Sequence, residues 1–170
     1  MSDSYEKEQL LTSSIQIDSR DVYKTKNIDG LIKFKIKSEF ENICSKNGYV
    51  VKDSVSIIKR SIGKTTIHNN QSKIEYDITI KMKLISPCQG EIYTTIIDSI
   101  TKMGIISYMN MKDDSLNNVN NSPVLFIIPK EYIDDDISSY SVNQKIDIEV
   151  IQKRIKYRSK QIQVVGKINN

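Results

Sequence analysis

The sequence predicts an α+β chain in which an N-terminal β-α-β-β lobe precedes a five-stranded β-barrel. Apolar residues recur every three or four positions over roughly 27–46, which is typical of a helix. From residue 49 onward, apolar residues alternate with polar ones, as in strands. Ser86-Pro87 then favours a boundary, because proline cannot donate to a central β-ladder. We therefore predict a flexible tail over 1–9, a first lobe over 10–86 and a barrel over 87–170.

Within the first lobe, the pattern predicts a strand at 10–17, then the helix, then strands at 49–59 and 73–85. Asn27 is a suitable helix N-cap, and Asn47-Gly48 a suitable stop. The segment between the two later strands contains Gly63 and several asparagines, which indicate exposed turns.

The second half of the chain predicts five strands, at 90–100, 104–111, 124–128, 145–157 and 161–168. The Asn-rich stretch 110–122 predicts a polar loop, and 129–140 has room for one short helix. Three strands, a helix and two strands is the element order of an oligonucleotide-binding (OB) barrel.

Composition and motifs argue against most catalytic chemistry. Among 170 residues there are one histidine and two cysteines, too few for the usual Cys/His zinc site. His68 lies among Asn and Thr in a predicted turn, and Asp134-Asp135-Asp136 lacks the spacing of a calcium loop. The chain also has no phosphate-binding or dinucleotide-binding glycine motif. We expect no enzyme activity and no cofactor.

The chain also lacks the signatures of membrane insertion and secretion. No apolar run approaches the ~18 residues that a transmembrane helix needs. The polar start lacks an apolar signal core, so we expect an intracellular protein. Cys44 and Cys88 are then expected to be reduced thiols that pack as small apolar groups.

A basic strip near the C-terminus is the strongest functional signal that the residues give. The net charge is only +4, but residues 150–170 carry six cations and no acid, whereas 131–149 carry six acids and one cation. The strip is centred on the turn between the fourth and fifth barrel strands, which borders the oligonucleotide groove of OB barrels. Its candidate RNA contacts are Lys153, Arg154, Lys156, Tyr157, Arg158 and Lys160, with Lys102 on the turn between the first two strands. A solvated, lysine-rich hairpin is the competing interpretation.

Six stretches of the chain resemble the large stalk subunit of archaeal and eukaryotic RNA polymerases, the seventh subunit of polymerase II. Residues 41–51 (ENICSKNGYVV) resemble its helix end and strand entry, and 57–63 (IIKRSIG) its Ile-Gly tip loop. Residues 84–91 (LISPCQGE) and 97–105 (IDSITKMGI) resemble its domain junction and first barrel hairpin. Residues 144–151 (QKIDIEVI) and 162–166 (IQVVG) resemble its last two strands. The resemblance spans about 10–168, and it depends on the order and spacing of these stretches.

The resemblance implies a docking lobe that inserts into the polymerase core through Ile62, Gly63 and Lys64, and an OB barrel that meets nascent RNA. It also implies a small helical stalk subunit as a partner. No contact with a membrane is expected. Because Met103-Gly104-Ile105-Ile106 stands where such barrels often carry aromatics, we expect weak RNA binding, with Tyr93, Tyr108 and Phe126 as candidate substitutes. The Ala-free, Ile-Lys-Asn-rich composition is typical of a divergent source such as a large DNA virus. The expected location is the nucleus, or the cytoplasm or virion for a viral polymerase.

Two other functions remain open from the sequence. One is a free-standing OB-type RNA-binding protein, such as a translation factor. The other is a protein-interaction module whose barrel no longer binds RNA.

Overall fold

The computed structural model describes residues 5–134 and 136–169 and groups them into two compact units. Residues 7–41 and 50–84 form one unit, called the sheet–helix unit below. Residues 5–6, 42–49, 85–134 and 136–169 form the other, called the barrel unit. The grouping differs from the predicted division at residue 86, because 42–49 belong with the barrel.

The sheet–helix unit is built around one long strand, β5. β1 pairs with one side of β5, and β2, β3 and β4 pair in succession with the other. The elements are β1 (Glu6–Asp18), α1 (Ser19–Lys24), α2 (Ile28–Phe40), β2 (Tyr49–Val50), β3 (Ser56–Arg60), β4 (Lys64–His68) and β5 (Gln71–Ile85). The terminal residues Glu6, Tyr49 and Ile85 of these strands are grouped with the barrel unit. The predicted β-α-β-β order therefore lacks one helix and two strands. β1 also begins earlier than predicted, so residues 6–9 lie in a strand, while 1–4 of the predicted tail lie outside the described residues.

Helix α2 begins as predicted and ends earlier. The Asn27 side chain accepts a hydrogen bond of 2.9 Å from the Gly30 N–H, as an N-cap does. The predicted end near residue 46 is wrong, because Glu41 is extended and Asn42 takes a positive φ of 60°. Asparagine tolerates this left-handed conformation, which ends helices. The apolar spacing continued to Ile43 and concealed this stop.

The core of this unit lies between the sheet and α2. β5 alternates as predicted, with Ile78, Ile80 and Met82 buried on one face. Ile32 and Ile36 of α2 are fully buried in the same cluster. The opposite face of the sheet carries polar pairs such as Ser14 Oγ to Glu75 Oε1 at 2.6 Å, so one face is packed and the other is polar.

The strand predicted over 49–59 is interrupted. Val51–Val55 form a turn in which Asp53 has a φ of 56°, and only then does β3 begin. β3 and β4 both run antiparallel to β5, and residues 61–63 form a bulge between them. The hairpin turn that joins β4 to β5 lies at Asn69-Asn70, whose φ angles of 50° and 59° fit a tight hairpin.

The barrel unit contains a closed five-stranded barrel, consistent with an OB-like barrel. Its strands are β6 (Ile92–Thr101), β7 (Gly104–Met109), β8 (Val124–Pro129), β9 (Lys145–Arg154) and β10 (Ile162–Ile168). Their order around the barrel is β10-β8-β7-β6-β9, in which only β8 and β10 pair in parallel. All five predicted strands are present, and their ends differ from the predicted ones by up to three residues.

The predicted short helix between β8 and β9 is replaced by two 3₁₀ turns, Lys130–Tyr132 and Ile137–Ser139. The Asp136 side chain accepts a hydrogen bond from the Ser138 N–H and so caps the second turn. Asp134 and Asp136 are exposed, and Asp135 of the predicted acidic loop lies outside the described residues. None of the helices in the described ranges is long and apolar enough to cross a lipid bilayer.

Candidate nucleic-acid interface and docking surface

The connection between β9 and β10, residues 155–161, carries the basic strip and is held in a defined conformation. Cys44 donates its backbone N–H to the Ser159 carbonyl at 2.8 Å and accepts a bond of 2.8 Å from the Arg158 N–H. This pair of bonds resembles one rung of a sheet. Arg158 takes a φ of 63°, a conformation that costs a non-glycine residue energy and that the two bonds maintain.

Two of the predicted cations share a concave surface on this connection. Arg154 and Lys156 line a cavity of about 240 Å³ together with Ser159, Gln161 and Gln163. Two positive charges beside a hydroxyl and side-chain amides can hold a phosphate group and hydrogen-bond its neighbours. Gln161 also donates through Nε2 to the carbonyls of Val119 and Ser122, at 2.6 and 3.0 Å, and so ties the Asn-rich loop to this site.

The other predicted contacts of the strip differ in their exposure and in their partners. Lys153 donates through Nζ to Ser86 Oγ at 3.0 Å, whereas Lys160 is exposed. Tyr157 is 58% exposed, and the Arg158 guanidinium lies 5.8 Å from the centroid of its ring. An exposed ring beside a cation can stack on an unpaired base.

Lys102 does not join this group. It is exposed in the turn between β6 and β7, where Gly104 pairs with Pro129 at the end of β8. The strip lies at the other end of β8, since Ile162 pairs with Val124. The two sites are separated by a strand of six residues, roughly 20 Å. They could border a single groove, but they do not form one cluster.

The candidate substitute aromatics are largely unavailable. Tyr93 and Phe126 are buried in the barrel core with their ring centroids 5.7 Å apart, so neither can stack on a base. Tyr108 is only 8% exposed. Strand pairing explains this result, because alternation places Tyr93 and Phe126 on the inner face of the closed sheet.

The predicted docking residues lie in the bulge between β3 and β4 and not at a hairpin tip. Ser61 accepts the Asp77 N–H through Oγ at 3.0 Å and donates its own N–H to the Asp77 carbonyl at 2.9 Å. Ile62 then projects from the sheet and is 96% exposed. Lys64, also exposed, begins β4.

This geometry requires a glycine at position 63. Its φ is +99°, and a Cβ atom would lie 2.7 Å from Cε1 of Tyr76 and 2.8 Å from Cγ2 of Ile74. Both distances are shorter than atomic contact allows. Gly63 therefore permits the bulge that exposes Ile62.

The remaining titratable candidates occupy structural or solvent positions. Cys44 is buried, as expected, whereas Cys88 is exposed and does not pack as a buried apolar group. Burial raises the pKa of the Cys44 thiol above its usual value. A protonated buried thiol is a poor nucleophile, so Cys44 acts in packing. His68 is exposed at the end of β4, opposite Gln71. Within residues 5–134 and 136–169, no group of three or more His, Cys, Asp or Glu side chains is placed to hold a metal ion.

Sequence reasoning missed two parts of the basic site. The backbone hydrogen bonds from Cys44 to residues 158 and 159 could not be predicted from a side-chain pattern, because they depend only on the path of the chain. The role of Gln161 could not be predicted either, because its bonds to the Asn-rich loop depend on the folded position of that loop.

Comparison with known proteins adds no assignment: no protein-family model matches the chain, and no curated protein shows significant similarity to it.

Proposed function

We propose that this chain is a non-catalytic stalk subunit of a multisubunit DNA-directed RNA polymerase. Its sheet–helix unit docks on the polymerase core through Ile62, Gly63 and Lys64. Its barrel is an OB barrel that contacts nascent single-stranded RNA. A small helical stalk subunit is a further expected partner, and the chain itself performs no chemistry.

The observation that carries the proposal is a closed barrel whose β9–β10 connection presents cations around a concave surface. Side-chain cations on a barrel rim bind the phosphates of single strands with little regard to sequence. With Tyr157 as the one exposed aromatic of the strip, stacking adds little, so weak binding is expected.

The docking half of the proposal is supported by Ile62. An isoleucine held almost wholly in solvent by the bulge that Gly63 permits has no packing role in its own unit. Covering its side chain with a partner would contribute about 1.5–3 kcal/mol. We infer that Ile62 is the apolar anchor of the docking surface.

Affinity purification of the tagged chain from its natural host, with identification of bound chains by mass spectrometry, tests the proposal. We expect polymerase core subunits with the wild-type chain, and about a tenfold lower yield with Ile62→Asp, because hot-spot anchors dominate interfaces. Ile67→Asp is the matched control, since Ile67 is also an exposed isoleucine of this edge. Wild-type yield with Ile62→Asp would remove Ile62 from the docking surface. Recovery of RNA without polymerase subunits would instead identify a free-standing RNA-binding protein.

A further inference from the structure

The sheet–helix unit contains an open groove between α2 and β3. Its volume is about 880 Å³. Asn27, Asp29, Gly30 and Lys33 line the helix side, and residues 56–62 line the strand side.

Arg60 fixes the shape of this groove. Its guanidinium forms an ion pair with Asp29, donates to the Ser61 carbonyl at 3.1 Å and lies 5.8 Å from the centroid of the Tyr76 ring. These contacts connect the first turn of α2 to the bulge. They also neutralise Asp29, which is the one acidic residue among the described residues that line the groove.

The charge that remains in the groove is positive. Lys33 and Lys59 are exposed, and neither forms an ion pair with any residue that the structure describes. The same lining presents Ile58, 58% exposed, and Ile62. The groove therefore combines two aliphatic side chains with two exposed lysines that form no ion pair among the described residues.

This combination fits a protein segment better than a nucleic acid. A single-stranded nucleic acid would use aromatic platforms for its bases, and the described lining has none. Aliphatic side chains instead pack against aliphatic side chains. The edge of the sheet is interrupted by bulges at Ile58 and at 61–63, so an added strand could not pair continuously with it. Recognition must then come from side chains.

We propose that the groove binds a segment of a partner protein in which acidic residues flank an apolar side chain. The apolar side chain covers Ile58 and Ile62, and the carboxylates pair with Lys33 and Lys59. The inference rests on the docking part of the proposed function and names the chemistry that the partner must offer.

Fluorescence anisotropy with the full chain tests the proposal. The probe is a short labelled peptide of Asp, Leu and Gly, and its counterpart has Lys in place of Asp. We expect binding of the acidic peptide only, weakened by added NaCl and by about tenfold in Lys33→Glu/Lys59→Glu. The control Lys24→Glu/Lys52→Glu makes the same charge change outside the groove and should alter the affinity by less than about twofold. Circular dichroism of both variants checks that they are folded.

Three outcomes would overturn the proposal: equal affinity of the groove variant, equal binding of the basic peptide, or displacement of the acidic peptide by oligouridine. The polymerase purification separates this failure from failure of the proposed function. Polymerase subunits recovered without acidic-peptide binding would reject only the groove. Acidic-peptide binding with the expected pattern, but without polymerase subunits, would reject only the stalk assignment.

Discussion

Two buried hydroxyl groups in the barrel differ in whether they have a hydrogen-bond partner, and therefore in their effect on stability. Thr95 and Ser107 are both fully buried. The Thr95 Oγ1 donates to the Ile146 carbonyl at 3.3 Å, whereas the Ser107 Oγ has no hydrogen-bond partner among the described residues. Burying a hydroxyl without a partner costs about 1–3 kcal/mol, and a satisfied hydroxyl avoids most of that cost.

Ser107→Ala should therefore raise the free energy of unfolding by about 1 kcal/mol, because it removes the unsatisfied oxygen with little change in volume. Thr95→Val, which removes a satisfied hydroxyl of similar size, should lower it by about 1 kcal/mol. Urea denaturation of the full chain, followed by circular dichroism, measures both. A destabilised Ser107→Ala would mean that the hydroxyl is satisfied after all.

Gly63 and Arg158 show which residue-scale features a sequence can predict. A glycine between two strand-like segments can take a positive φ without steric cost, and Gly63 does so. Arg158 also takes a positive φ, but its residue type gives no indication of it. Its φ of 63° results from the backbone bond to Cys44, which only the fold supplies.

At the scale of elements, the register of β9 and β10 determines where the cations of the connection between them lie. Arg154 pairs with Gln163 at the last rung of the β9–β10 hairpin, so the cations after it lie beyond the sheet, in solvent. Lys156 and Arg158 are both exposed there. Since each cation that neutralises a phosphate releases counterions, RNA binding should have a log–log salt slope of roughly −2 to −3 for three or four contacts.

Lys156→Ala/Arg158→Gly should weaken binding to all single-stranded RNA sequences alike and make this slope shallower by roughly one to one and a half. Glycine is chosen at 158 because it accepts the positive φ, so stability should be preserved or improved. Filter binding to uridine and mixed-sequence oligomers at several salt concentrations measures the change. Lys24→Ala/Lys52→Ala removes the same charge from the sheet–helix unit and should leave the slope unchanged. An unaltered slope in the first variant would exclude this connection from the RNA interface.

Element boundaries were predicted well where the signal is local. The alternation predicted for β5 and for the barrel strands is found in the structure, because a half-buried strand needs one apolar residue at every second position. The end of α2 was misjudged because Ile43 continued the helical spacing. The strand over 49–59 was misjudged because its apolar run spans the turn at Asp53.

At the scale of the whole molecule, the two proposed activities lie in different compact units. Ile62 belongs to the sheet–helix unit, and the basic strip belongs to the barrel unit. Substitutions that share no partners act independently as a rule. A subunit built in this way can lose one activity and keep the other.

We accordingly expect a reciprocal result from the two variants. Ile62→Asp should bind oligouridine with the wild-type affinity while its recovery with polymerase falls. Lys156→Ala/Arg158→Gly should be recovered with polymerase at the wild-type yield while its RNA affinity falls. Filter binding and co-purification of both proteins give the four measurements, and simultaneous loss of both activities in either variant would contradict the separation.

The sequence alone determined the local features of this protein: the five barrel strands, the alternation of β5 and the cap at Asn27. Each is a local property, fixed by side-chain chemistry and backbone preference within a few residues. Only the tertiary structure decided that 42–49 join the barrel, that Ile62 lies in a bulge, that Tyr93 and Phe126 face inward, and that Lys102 lies far from the basic strip. These features depend on strand register and barrel closure, which bring together residues that are distant in the chain.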